Sequence, residues 1–384
     1  MNIRTVVPSW LGSLVLLAGL ACAPAPERAP EAKRPEGATL TAKQALGKKL
    51  FFDRTLSTPA GQACSDCHDP AKGFANPDTS LPVSRGVHSD RFGNRNDLPA
   101  AYASFSPPLH YDGEEEVWVG GNFWDGRASG LVEQAKLPLL NPLEMANPDE
   151  AAVVESIRAS PYAGEFRAVF GPDALDEVKR AYHHAAEALA AFQESPEVNR
   201  FSSKYDFFLR GKAALTPAES RGLSLFEDPK KGNCSACHPS KPSAPGQQPL
   251  FTDFTYDNLG TPKNPELPFY HLPPALNPDG LRWVDLGLGP IVKKGSENGK
   301  FRVPTLRNAA VTGPYMHNGV FKTLWQVVMF YNTRDVSHWP PPEYPRNVNR
   351  EELGNLKLSN PEVDDLVAFM LTLTDGYEPV PAAR

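Results

Sequence analysis

Apolar residues in this chain recur with the helical period, and no stretch sustains the period-two alternation of a strand. Leu175, Val178, Tyr182, Ala185, Leu189 and Phe192 mark one helix within 173–194. Val363, Leu366, Phe369, Met370 and Leu373 mark another within 359–373, opened by a capping box, Ser359…Glu362. Thr41…Gln44, Thr216…Glu219 and Thr323…Gln326 carry the same start signal. After Thr323, Leu324, Val327, Val328 and Tyr331 fall at i, i+3, i+4 and i+7, so they share one face; Met329 points away from it. The chain therefore reads as mainly α. Pro-rich stretches at 239–279 and 339–345 read as long loops, and 104–122 as an inserted loop with an acidic tip at Glu114, Glu115 and Glu116.

The pattern occurs twice. "TAKQALGKKLFFDRTLS" starts at Thr41 and "TPAESRGLSLFEDPKKG" at Thr216. Gly47, Leu50, Phe51 and Asp53 of the first stand where Gly222, Leu225, Phe226 and Asp228 stand in the second. Each leads to the same word, CSDCH at 64–68 and CSACH at 234–238. Downstream, "FWDGRASGLVEQAKLP" and "YMHNGVFKTLWQVVMFY" align on Gly126 and Gly319. That alignment sets Gln134 against Val327 and Pro138 against Tyr331.

C-x-x-C-H is the attachment word of c-type haem. Cys64 and Cys67, and again Cys234 and Cys237, are spaced to form thioethers with two vinyl groups. His68 and His238 follow directly, each to ligate an iron. A thioredoxin-like pair or a four-cysteine zinc site would use the cysteines but not the histidines. Two covalent haem c groups are thus expected, each inside a cytochrome c-like helical domain: 39–212 and 213–384. The repeat also predicts that the two sites differ. Pro138 has no ligating side-chain atom, whereas the Tyr331 phenol can bind ferric iron. A vacant position suits a reactant; a filled one suits charge storage. Tyr331 could instead be an ordinary core tyrosine, with Met316, Met329, Met370 or His317 as ligand.

Composition narrows the setting. Hydrophobic residues make up 41% of 384, enough for packed cores, and the net charge of −6 carries no basic nucleic-acid footprint. Residues 1–21 read as a secretory signal peptide: one basic residue, Arg4, then an apolar run too short to span a bilayer. Residues 22–38 read as a Pro/Ala-rich tether. "LAGLAC" resembles a lipoprotein signal ending on Cys22, although Gly19 stands where Leu is usual. Export to the periplasm, anchored as a lipoprotein through Cys22, agrees with haem c assembly outside the cytoplasm.

The two haem words, "FWDGR" with "EQAKLPLLNPLEM", and "FRVPTLRN" with "GPYMHNG" together resemble the bacterial di-haem cytochrome c peroxidase and MauG family. The resemblance covers nearly all of the chain from about residue 40. It implies that the N-terminal haem is the peroxidatic site and the C-terminal haem the electron-transfer site. It also implies that Trp124 lies between them and that Gln134 and Glu144 stand over the open iron. Asn96, Thr312 and Pro314 match the family's calcium donors. Tyr331 sides with the MauG branch, since peroxidases usually have Met there. His88 points the other way, matching the loop histidine with which many peroxidases cap the open iron.

The expected activity is H2O2-dependent oxidoreduction, with Glu144 shuttling a proton between the peroxide oxygens. Glu144 could otherwise be a first-turn carboxylate of a helix starting near Asn147. The electron donor is either a small redox protein (a cytochrome c or a copper protein) or, as in MauG, side chains of a protein substrate. A di-haem electron carrier without peroxide chemistry is the alternative of another class. The resemblance also allows a homodimer. His183 and His184 read as surface or core histidines.

Overall fold

The computed structural model describes residues 39–244 and 246–379. The signal peptide, the tether and Cys22 lie outside the described residues. The chain runs through eleven helices among the described residues: α1 Ala42–Phe51, α2 Cys64–Cys67, α3 Leu131–Leu140, α4 Glu150–Ala159, α5 Ala163–Phe170, α6 Val178–Gln193, α7 Lys204–Leu209, α8 Pro217–Glu227, α9 Gly289–Val292, α10 Leu324–Thr333 and α11 Asn360–Leu371. Strands among the described residues form two antiparallel pairs. His110–Asp112 (β1) pairs with Val117–Val119 (β2), and Tyr256–Asp257 (β3) with Phe301–Arg302 (β4).

The capping boxes start the helices they predict. Thr41, Thr216 and Thr323 each accept the N–H three residues on, and Gln44, Glu219 and Gln326 return the bond. At α11, Glu362 receives both the Ser359 N–H and its hydroxyl. The α6 helix starts later than its periodicity suggests, at Val178. Glu177 caps it by accepting Lys179 N–H and Arg180 N–H, and Arg158 takes the Leu175 carbonyl out of any helical ladder.

The repeat is real in three dimensions. The α1 helix packs on α6, and α8 on α11. At both crossings a glycine lets the backbones touch. A Cβ on Gly47 would stand 1.8 Å from the Ala188 carbonyl oxygen, and one on Gly222 1.9 Å from that of Asp365. Beside each crossing the same edge-on phenylalanine contact recurs: Phe51 with Phe192 at 5.3 Å and Phe226 with Phe369 at 5.1 Å. Asn122 bridges Ala128 just before α3, and Tyr315 bridges Phe321 just before α10.

Two cores result. One gathers Leu46, Leu50, Phe51, Ile157, Phe166, Leu189 and Phe192; the other Phe226, Phe251, Leu324, Val328, Leu366 and Phe369. The passage between them falls between Phe201 and Tyr205. The Ser203…Asp206 capping box already starts α7 there, and Tyr205 packs into the second core. Residues 239–279, read as an open loop, are in part packed. Leu267, Phe269, Tyr270 and Leu272 form a third cluster with Val83, and Asn264 donates to the Asn318 carbonyl. The apolar residues among the prolines thus anchor this segment against Val83, Phe92 and Leu143 of the first half.

Candidate active site

The two histidines are prepared in the same way. His68 Nδ1 lies 3.0 Å from the Phe74 carbonyl, and His238 Nδ1 2.8 Å from that of Phe251. A carbonyl only accepts, so each Nδ1 carries the proton and Nε2 keeps its lone pair free. Burial pushes both below the ordinary imidazole value, His238 to about 4, so both stay neutral and fit to ligate a metal. The four thiols of the two words are unpaired, and burial pushes Cys64, Cys234 and Cys237 up to about 12. No disulfide joins them, which leaves all four to hold a macrocycle.

Two cavities adjoin these words. The larger, about 1310 Å³, is lined by Cys64, Cys67, His68, Trp124, Gln134, Pro138 and Glu144. The second, about 790 Å³, is lined by Trp124, Val327 and Tyr331, with Met316 and His317 on its wall. The first fits a macrocycle against its own attachment thiols and histidine; Cys234, Cys237 and His238 do not line the second, but its Tyr331 lies near both thiols. Trp124 lines both, and its Nε1 donates to the Asn96 carbonyl at 2.7 Å. Pro138 and Tyr331 hold equivalent positions on α3 and α10, and each lines a different cavity.

Glu144 is not a first-turn carboxylate of the following helix. The helix starts at Glu150, behind Asp149, because the Asn147 amide is spent on the carbonyls of Leu56 and Leu139. Glu144 sits in the preceding turn, where Asn141 Nδ2 donates to its Oε1 at 2.7 Å. Burial, and then the charge of Asp97, hold its carboxyl above the ordinary value, against the pull of Asn141 and Arg127. A carboxyl tuned upward holds a proton nearer neutrality.

Tyr331 is half-buried, and its hydroxyl makes no hydrogen bond among the described residues. Burial and the neighbouring Cys237 and Cys234 thiols push it up, so without a metal the phenol keeps its proton. A core tyrosine would find a partner for its hydroxyl; this one faces the cavity. Of the other candidate ligands, Met329 and Met370 belong to the second core, and His317 Nε2 lies 3.4 Å from Glu343 while its ring stacks on Phe301. Met316 stays on the cavity wall. His88 does not line the first cavity. Its loop is tied alongside by Val87 N–H, which donates to the Glu144 carbonyl at 2.9 Å.

Sequence reasoning missed Asp97, Arg127 and Arg302, which line the same space. Asp97 accepts from Ser84, yet burial pushes it up to about 6. Its signal was its place directly after Asn96. Arg127 lies 3.6 Å over the Phe123 ring and pairs with Asp125. His184, by contrast, stacks on Phe170 and pairs with Glu187, away from both cavities.

Two helical cores, each closing on a C-x-x-C-H word with a neutral, half-buried histidine, and sharing one tryptophan between their cavities, define a c-type redox protein with two haem cofactors. The chain belongs to the di-haem cytochrome c peroxidase family that includes MauG. The family model "Di-haem cytochrome c peroxidase" matches residues 41–214. The methylamine utilization protein MauG of Paracoccus denitrificans is 42% identical over 358 residues, 88% of this chain and 89% of that protein. The cytochrome c551 peroxidase of Nitrosomonas europaea is 30% identical, over 96% of this chain and 90% of its own. The diheme peroxidase BthA of Burkholderia thailandensis has the same fold, with a TM-score of 0.78 at 36% identity, covering 89% of this chain and 87% of that one. The protein is accordingly a peroxide-dependent oxidoreductase. No helix among the described residues is long and apolar enough to cross a membrane.

Proposed function

We propose that peroxide is reduced in the first cavity and that the second site holds the other oxidising equivalent. The observation that carries this reading is the inequality of the repeat, Pro138 over one cavity and Tyr331 over the other. Haem, when bound through Cys64, Cys67 and His68, or Cys234, Cys237 and His238, supplies the metal and electrons for O–O cleavage. The chain supplies the rest. Glu144 takes the proton from the near peroxide oxygen and returns it to the far one, and Asn141 fixes its orientation. Gln134, on the same wall, offers an amide to the peroxide. Trp124, anchored on Asn96, gives electrons a short path between the cavities. Tyr331 closes the second site.

Resonance Raman and EPR of the ferric protein test this. The expected spectra show one five-coordinate high-spin haem and one haem bearing a phenolate, and Tyr331→Phe removes the phenolate bands alone. Two six-coordinate low-spin haems, together with an absorbance that peroxide leaves unchanged, would reduce the protein to an electron carrier.

The electrons come from a redox protein or from side chains of a protein substrate. Tyr331, and His88 standing outside the cavity, favour the second, MauG-like source. Rapid peroxide-dependent oxidation of a reduced cytochrome c would decide for the first.

Calcium at Asn96, Thr312 and Pro314 belongs to the same proposal. The buried Asn96 amide lies 2.5 Å from the Pro314 carbonyl. Turned over, it would set its oxygen against that carbonyl, a contact that a cation relieves. One calcium per chain is expected by elemental analysis of desalted protein, and finding none would end the assignment. Export to the periplasm, with Cys22 as lipid anchor, rests on the sequence alone; the mass of the N-terminal peptide checks it.

A further inference from the structure

Trp124 and Arg302 are the two residues that line both cavities. Arg302 is 6% exposed. Its Nε donates to the Phe123 carbonyl at 3.2 Å and its Nη1 to Ser106 Oγ at 3.1 Å, while Nη2 makes no hydrogen bond among the described residues. No carboxylate among them pairs with it. The other deeply buried arginines differ in this respect. Arg307 holds Asp206, Arg334 holds Asp335, and Arg95 holds both Asp125 and Asp285. A guanidinium taken out of water without an anion is costly. Nothing beside it is acidic enough to meet that cost, and burial pulls its basicity down. The backbone nevertheless fixes it in place. Arg302 N–H donates to the Trp124 carbonyl at 2.9 Å, and β4 holds it against Tyr256 of β3.

The geometry points to Arg302 as a shared counter-charge for the two haems, its guanidinium meeting propionate carboxylates from both cavities. Each haem brings two such carboxylates, and each is an anion that the buried cation lacks. The consequence is electronic as well as structural. A fixed positive charge between the haems opposes the gain of positive charge on either iron, so it raises the reduction potential of both. Arg302 is a positioning and tuning residue; it need not touch peroxide. The inference rests on the two haems that family membership establishes, and it goes beyond the proposed reaction.

The test is spectroelectrochemical titration of the holoprotein and of Arg302→Gln, with haem content measured by pyridine haemochrome. With two haems retained, both midpoint potentials of Arg302→Gln are expected to fall. The shift should reach at least tenfold in the ferrous-to-ferric ratio at fixed ambient potential, about 59 mV for a one-electron couple. Unchanged potentials overturn the inference, and a shift confined to one haem overturns the sharing. Arg302→Lys keeps the charge but loses the planar fork, which guards against a Gln variant that fails to load haem. It is expected to keep both potentials near wild type and to shift the propionate bending bands of both haems in resonance Raman. Unmoved bands overturn the contact. A haem count below two in the unmodified protein would instead fault the family reading, so the two failures are distinguishable.

Discussion

Replacing Glu144 by Gln is expected to slow peroxide turnover by roughly 10²–10⁴-fold, the usual contribution of a positioned general acid–base group. The substitution keeps size and shape, and the amide can still meet Asn141, but it can no longer accept and return a proton. The loss should appear in the second-order reaction of the enzyme with H2O2, measured by stopped flow, with haem content unchanged. The pH profile gives a second readout. Peroxide arrives with its protons, so Glu144 must start ionised. Burial and Asp97 raise its carboxyl; activity should therefore fall with decreasing pH through a value above the ordinary carboxylate range. In Glu144→Gln that limb should vanish. A variant that turns over at the wild-type rate, with its acid limb intact, would remove Glu144 from the chemistry and shift attention to Asp97.

The second large effect is on stability. Arg307 is 1% exposed and grips Asp206 with two bonds, Nη1 to Oδ2 at 3.0 Å and Nη2 to Oδ1 at 2.8 Å. Its Nε donates to the Pro249 carbonyl, and its guanidinium lies 4.4 Å over the Phe201 ring and 5.0 Å over Tyr102. It therefore ties the first core, through Tyr102 and Phe201, to the start of the second at α7. Arg307→Ala leaves Asp206 buried with only the Ser203 cap to meet its charge. Breaking such a pair from one side costs about 3–5 kcal/mol, readable in urea or thermal unfolding followed by far-UV dichroism. Burial alone would raise the Asp206 carboxyl, but Arg307 holds it below its ordinary value. The stabilisation is therefore present above the ordinary carboxylate pKa and is lost as pH falls through the lowered folded value. In Arg307→Ala this acid-side dependence should flatten. A loss under about 1 kcal/mol would mean that water or neighbouring dipoles already satisfy Asp206.

Much of the site was legible because haem attachment is written locally. A thiol, two residues, a thiol and a histidine must be contiguous to meet one macrocycle edge and its iron, so CSDCH and CSACH announce themselves. The capping boxes are equally local, since a helix start is satisfied within three residues, and Thr41, Thr216 and Thr323 start helices where expected. The inequality of Pro138 and Tyr331 needed only the repeat to be aligned.

The periodicity overran at α6 because apolar spacing says nothing about which carbonyl a distant arginine will take. A repeat likewise marks where a motif recurs, whereas the change from one core to the other, between Phe201 and Tyr205, is set by what packs. His88 shows the same limit, because its place in sequence could not say which way its loop faces.

The sequence by itself determined the prosthetic groups, the helical class, the doubled architecture and the unlike residues over the two cavities. Tertiary structure alone decided the charges: Asp97 beside Glu144, Asp206 under Arg307, and Arg302 with no carboxylate partner among the described residues. The physical reason is that a covalent or capping bond joins neighbours in the chain. A buried charge is governed by whatever folding brings within a few ångströms, from either half of the molecule.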